Sequence, residues 1–288
     1  MRHTAFIAAA AASLLSGCAS GGPAPGEAPA DNPYQYDVPT PPTATYRMAD
    51  TMTTIMTMPQ GEMDMAISSA TTIELTFAAD SGGVRATGTV SDHSSTMASG
   101  MLGNIEMGGD GVSGNLEFVI GPLGEVEMIS TPEVPGDGVM PAMPISFDPR
   151  ALLPRFPGRP LESGDTWADT VTISADVGGL DLPVPITGTS ETTTVYSYTL
   201  VGDTLVDGRT LQKITLSGVM TERPSMEQGG EPVGSDMINT VEGYVLWDAE
   251  RGLVAVADLV RTIDGSVDMM GASMSMTGGG VLKLRLVN

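Results

Sequence analysis

The residue types able to do chemistry are few in this chain, and their scarcity is informative. There are two histidines, His3 and His93, and one cysteine, Cys18. One thiol and one downstream imidazole cannot build a Cys/His zinc site, and a single cysteine forms no intrachain disulfide. His93 sits in Ser91-Asp92-His93-Ser94-Ser95, so nucleophile, base and acid are neighbours in sequence. A Ser-His-Asp device is assembled in space, however, not along the chain, and the expectation for His93 is a solvated loop or strand end. Among the acids, Glu162, Asp165 and Asp169 gather around Trp167. Carboxylate catalysis needs two acids facing across a cleft with pKa values driven apart, whereas acids at the start of a strand are ordinarily wet. Gly108-Gly109-Asp110-Gly111 and Asp203-Thr204-Leu205-Val206-Asp207-Gly208 lack the oxygen-rich spacing of a calcium loop and read as turns. No catalytic residue, metal or cofactor is expected.

Methionine is the exception to this scarcity, with 20 copies. Three pairs stand two residues apart: Met56/Met58, Met63/Met65 and Met274/Met276. On a strand, each pair projects to one face. Converging thioethers suit Cu(I), but methionine also fills apolar slots, as Met63 and Met65 do beside Ile67. A third reading is a concave, adaptable face for apolar ligands, formed by Met56, Met58, Met63, Met65, Ile67, Ile73, Leu75 and Phe77.

The elements that would position these residues are strands. From Glu62 to Phe77 the odd positions are Met63, Met65, Ile67, Ser69, Thr71, Ile73, Leu75 and Phe77, between mostly polar even positions. This period-2 pattern buries one face and wets the other. Sixteen residues at about 3.3 Å each would span roughly 50 Å, far longer than an ordinary strand. Ser81-Gly82-Gly83 turns the chain into a strand over 84–90. Leu116, Phe118 and Ile120 return at Val126 and Met128 as a hairpin around Gly121-Pro122-Leu123-Gly124. Leu282, Leu284 and Leu286 alternate with Lys283 and Arg285. Further strands are expected over 44–58, 166–176, 184–201, 209–222, 236–247 and 252–268. The best helix candidate is one short turn after Asp148, which can cap it, with Pro149 at the first helical position. The expected class is all-β, with long antiparallel strands arranged as an open half-barrel or as two stacked β modules. The expected parts are a first β half over 43–130, a proline-rich crossover with a short helix over 131–163, and a second β half over 164–288.

The N-terminus reads as an export signal. Met1-Arg2-His3-Thr4 precedes an apolar run from Ala5 to Leu15. Eleven helical residues make roughly 16 Å, about half a bilayer's hydrocarbon thickness, so the segment is a signal peptide of residues 1–17 and not a span. Leu15-Ser16-Gly17-Cys18 follows. This resembles the lipobox of bacterial lipoproteins, which implies cleavage between Gly17 and Cys18, a diacylglyceryl thioether on Cys18 and an acyl chain on its amine. The same resemblance, with Ala19 and not Asp after the cysteine, implies the outer membrane facing the periplasm. Residues 18–42, with seven prolines from Pro23 to Pro42, read as a disordered tether. The membrane, reached through the lipid on Cys18, is thus the expected partner. The formal net charge is −22, and cleavage removes Arg2 but no acid. Repulsion from phosphates therefore excludes nucleic acid.

The passage from Leu153 to Trp167, LPRFPGRPLESGDTW, is similar to the proline, spacer, Gly-Asp-Thr-Trp strand entry of periplasmic β-rich lipoproteins, which implies compartment and fold but no activity. The long strands also look like the half-barrel of lipoprotein-carrier proteins, whose concave face holds acyl chains. The expected function is a lipid-anchored, non-catalytic binding or structural module of the cell envelope. The alternative is a carrier of lipid or another apolar ligand on a methionine-rich concave sheet, and a carboxylate hydrolase is least favoured.

Overall fold

In the computed structural model, residues 32–287 are described apart from 59–60, 101–102, 109–111, 113, 135–142, 145–146, 177–185, 229–230 and 270–271. Cys18, Gly17 and the expected signal peptide lie outside the described residues. The strands are β1 (Thr43–Met58), β2 (Gly61–Asp80), β3 (Gly83–Ser99), β4 (Gly103–Gly108), β5 (Leu116–Ile120), β6 (Val126–Ser130), β7 (Glu133–Val134) and β8 (Met143–Pro144). After helix α1 (Pro149–Leu152) come β9 (Thr166–Asp176), β10 (Ile186–Val206), β11 (Arg209–Gln228), β12 (Glu231–Asp248), β13 (Leu253–Met269) and β14 (Ala272–Leu286).

Twelve strands form one antiparallel sheet in the order β6-β5-β3-β2-β1-β14-β13-β12-β11-β10-β9, with β4 added to β3. Strand β1 pairs with β14 over Tyr46–Thr57, so the two sequence halves share one sheet. The stacked-module alternative is therefore set aside: among the described residues the only other sheet is the β7–β8 pair. Tight turns set the register. Val206 pairs with Arg209 across Asp207-Gly208, both with positive φ, 52° and 79°. That is the Asp-Gly signature of a two-residue hairpin; of the turn expected over Asp203–Gly208 only the last two residues turn, and 203–206 belong to β10.

Alternation assigns one face inward and one outward. On β1, Ala44, Tyr46, Met48, Asp50 and Thr54 are buried, while Arg47, Ala49, Thr51 and Thr53 are exposed. The outward face is rich in threonine, with Thr240 and Thr262 joined Oγ1 to Oγ1 at 2.7 Å. β-Branched side chains that pack and hydrogen-bond across strands sustain such lengths. Curvature is imposed partly by glycine. At Gly243 (φ 154°) an added Cβ would lie 2.1 Å from the Asp258 carbonyl oxygen, so only a residue without a side chain lets the strand coil there.

One end of the inward face, here called proximal, is filled. Tyr34, Tyr36, Phe147, Leu152, Phe156 and Leu161 insert from outside the sheet into a cluster with Ile73, Leu75, Phe77, Phe118, Ile214, Trp247 and Leu284. Phe118 on β5 packs on Phe147 (6.3 Å between centroids), and Trp167 on β9 packs on Phe156 (6.2 Å). Strands near opposite edges thus meet one shared insert, so the sheet curls around it as a half-barrel. Phe156 also contacts Tyr34, Tyr36 and Trp247 within 5.8 Å. The short helix has the expected cap, the Asp148 carboxylate accepting from the Arg150 N–H.

The tether expected over 18–42 is packed from Asn32 onward. Tyr34 and Tyr36 are buried, the Trp247 indole donates to the Pro33 carbonyl at 3.0 Å, and the Tyr36 hydroxyl donates to the Pro154 carbonyl at 3.0 Å. Two aromatic rings supply the apolar area that proline and glycine lack.

Candidate functional site

His93 is not solvated. Strand β3 does not end at Val90 but runs to Ser99, and a bulge makes the difference. Ala70 pairs with Ser94 and Thr72 with Ser91, so Thr71 alone faces Asp92 and His93. Asp92 takes the left-handed conformation (φ 49°), and the extra residue reverses the parity of the strand. Val90 faces inward before the bulge; His93, Met97 and Ser99 are buried after it. Thr71 Oγ1 and His93 Nδ1 are 2.9 Å apart, and burial lowers the imidazole pKa.

The acids around Trp167 are held separately. Asp165 accepts from the Glu162 N–H and from Arg159, which together hold its carboxyl below the usual range. Asp169 pairs with Arg155 at 3.2 Å, and Glu162 is exposed. Asp165 and Asp169 are thus each held by a different arginine. Trp167 anchors the start of β9: it stacks on Tyr198 at 5.3 Å, and its indole donates to the Arg155 carbonyl.

The methionine face divides in two. Ile73, Leu75 and Phe77 face inward but are spent on the proximal core. Met56, Met63, Met65 and Ile67 occupy the distal half of the same face and are partly buried. Met56 pairs directly with Met63 on one side and Met276 on the other, so three thioethers occupy facing positions on consecutive strands. Met58 ends β1, and its side chain lies outside the described residues. Met97, Val233 and Met237, also in the distal half, are buried.

Between the two halves stands a feature that motif searching misses. Asp50 lies inward on β1 between Met48 and Met52, and Arg261 lies inward on β13 between Leu259 and Ile263. β14 separates them, and at Arg261's level it carries Gly280. The guanidinium reaches across that glycine, and Arg261 Nη2 donates to Asp50 Oδ1. A Cβ on Gly280 would lie 2.1 Å from the Thr51 carbonyl oxygen. Among the described inward strand positions Arg261 is the only cation. Burial raises the Asp50 pKa despite the adjacent guanidinium. The signal was legible: each charge occupies an apolar slot of an alternating strand.

Beside this pair is a cavity of about 150 Å³, lined by Met52, Met220, Asn239, Val241, Arg261 and Ile263. Two buried polar atoms there have no hydrogen-bond partner, Arg261 Nε and Asn239 Oδ1. Among the described residues no group of three or more His, Cys, Asp or Glu could hold a metal ion, and no helix is long and apolar enough to cross a membrane. The chain matches no known protein-family model, and no curated protein sequence matches it.

Proposed function

We propose that this chain is a lipid-anchored, non-catalytic protein of the cell envelope that binds long apolar ligands of acyl-chain type on the distal half of its inward face. The observation that carries this reading is the division of one continuous face. Its proximal half is filled by the chain's own aromatic residues, whereas its distal half presents partly buried methionines around a cavity. Methionine has three rotatable side-chain bonds and a polarisable sulfur, so it adapts to ligands of varied shape. A purely structural module gains more from rigid, branched residues at these positions. Separate arginine partners for Asp165 and Asp169 support a reading without acid/base chemistry. The acidic balance favours neutral or amphiphilic ligands over nucleic acid.

The test is mass spectrometry of an organic extract of the purified protein, in which lipid joined covalently to Cys18 stays with the polypeptide. A long-chain amphiphile near one per chain is expected. A clean extract, together with no binding of a fluorescent polyene fatty acid, overturns the reading. A second reading rests on Met56, Met63 and Met276 as a thioether set for Cu(I). Stoichiometric Cu(I) uptake that disappears when all three become leucine would favour it.

A further inference from the structure

The ion pair at the boundary of the filled core is poorly explained by stability. Taking a carboxylate and a guanidinium out of water is costly, and their attraction often only offsets that cost. Leucine or methionine at both positions would continue the apolar alternation on either side. The geometry also leaves Arg261 under-used. Its Nη2 donates to Asp50, while Nε is buried without a partner; the residue lines the Met52–Ile263 cavity. Asn239 lines the same cavity. Its amide nitrogen lies 3.6 Å from the Met220 sulfur and its oxygen has no partner; a rotation of the amide would present the nitrogen instead. The floor between β13 and β1 is bare, because Gly278 and Gly280 are the inward residues of β14 opposite Ile263 and Arg261. Glycine inside a strand weakens it and often marks where another group approaches closely.

We propose that Arg261 and Asn239, above this glycine floor, form the head-group subsite for a long-chain carboxylic acid, whose chain lies along Ile263, Met276, Met56 and Met63. This rests on the reading of the distal face as an apolar-ligand site and adds the ligand's polar end. A carboxylate suits the free edge of a guanidinium because two parallel N–H donors match its two oxygens. A dianionic phosphate suits it less, since Asp50 already supplies one negative charge at the same group. The position is also apt: the cation sits where the distal half meets the filled core, so a head fixed there directs the chain away from the core. The cavity of about 150 Å³ has room for the carboxyl end of such a ligand, and the methionine rows continue from it.

The decisive experiment uses the unmodified full-length protein and two head groups on one chain. Displacement of bound cis-parinaric acid is measured with oleate and with oleyl alcohol, which differ at the head alone. Oleate should displace roughly ten- to a hundredfold more strongly, the range expected for a charge-assisted hydrogen bond in a sheltered site. Equal displacement by both overturns the subsite while leaving the apolar-ligand reading intact. If parinaric acid does not bind at all, both fall. In Arg261→Met the preference for oleate should vanish while oleyl alcohol still binds, and Arg261→Lys should retain part of it. A preference that persists in Arg261→Met assigns the head to another place and refutes the proposal. Should Arg261→Met fold poorly, the comparison of head groups on the unmodified protein still decides.

Discussion

Substituting the two members of the Asp50–Arg261 pair singly and together tests whether the pair exists for stability. The Asp50 side chain is 11% exposed and that of Arg261 27%. Breaking a fully buried pair from one side typically costs 3–5 kcal/mol, because a charge is left without compensation. The residual exposure of Arg261 lets water reach the site, so Arg261→Met should cost about 2–3 kcal/mol. Replacing both, as Asp50→Leu with Arg261→Met, removes the desolvation cost of two ions and should return stability to within about 1 kcal/mol of the parent or slightly above it. Urea unfolding followed by tryptophan fluorescence reports this directly, since Trp247 and Trp167 both contact the proximal insert. With an m-value near 2–3 kcal/mol/M, the single variant should lose about 1 M in midpoint and the double variant almost nothing. Asp50 supplies an internal check. Its folded pKa is raised by burial, so the folded state favours its proton. The deficit of Arg261→Met should therefore shrink as pH falls towards the unfolded carboxyl value, and grow as pH rises through the folded one. A double variant that stays as unstable as the worse of the two singles would show that the pair supplies net stability. Retention of the pair for binding would then be refuted.

Other outcomes follow from the same geometry. His93 is lowered in pKa by burial, so its contribution to stability is present above the ordinary imidazole pKa and is lost as pH falls through that value towards the folded one. A urea-midpoint series from pH 7.5 to 5 should show a decline that is flattened in His93→Gln; an unchanged slope removes His93 as its cause. Phe156→Ala removes a ring in contact with four other aromatics and should cost about 3–5 kcal/mol, read as a lower urea midpoint; a loss under 1 kcal/mol would mean the insert does not hold the curled sheet. Mild oxidation of the partly buried methionines to sulfoxides makes the distal face polar. Parinaric acid affinity should fall at least tenfold while circular dichroism stays the same. Cys18→Ser should abolish labelling by radioactive palmitate and leave the precursor uncleaved; normal labelling overturns the anchor.

The strands were legible wherever alternation ran unbroken, as in β2 and β9, because a half-buried strand writes its two faces into the sequence with period two. The alternation of β3 stops at Val90 because the bulge at Asp92-His93 inserts one residue, which reads locally as loss of pattern. The early part of β14 escapes the alternation because Gly278 and Gly280 occupy inward slots where the pattern calls for apolar side chains. The packing of Tyr34 and Tyr36 was hidden by proline, which dominates composition while two aromatic rings dominate burial. The methionine face was legible as a face. Its division into a half filled by the aromatic insert and a half beyond it is not, since the filling comes from residues 34–36 and 147–161, distant in sequence from β2.

That division gives the sheet a polarity along its strands. β2, at 20 residues, would extend roughly 65 Å at strand spacing, much longer than the single aromatic insert requires. Had the length served only to build a core, the inward residues would be rigid and apolar to the end. Instead the core stops near Met48, Leu259 and Leu282, and the next inward level carries Arg261, Gly280 and Met52, with Asp50 just behind. Methionines follow. A cation, a bare floor and flexible thioethers, in that order away from the core, match the order of parts in a chain with one acidic end. The same order predicts that lengthening the acyl chain at fixed head group should raise affinity by about 0.8 kcal/mol per added methylene until the chain outruns Met56 and Met63. Head-group substitution should shift the whole series by a constant factor. A series in which chain length has no effect would place the ligand somewhere other than along these strands.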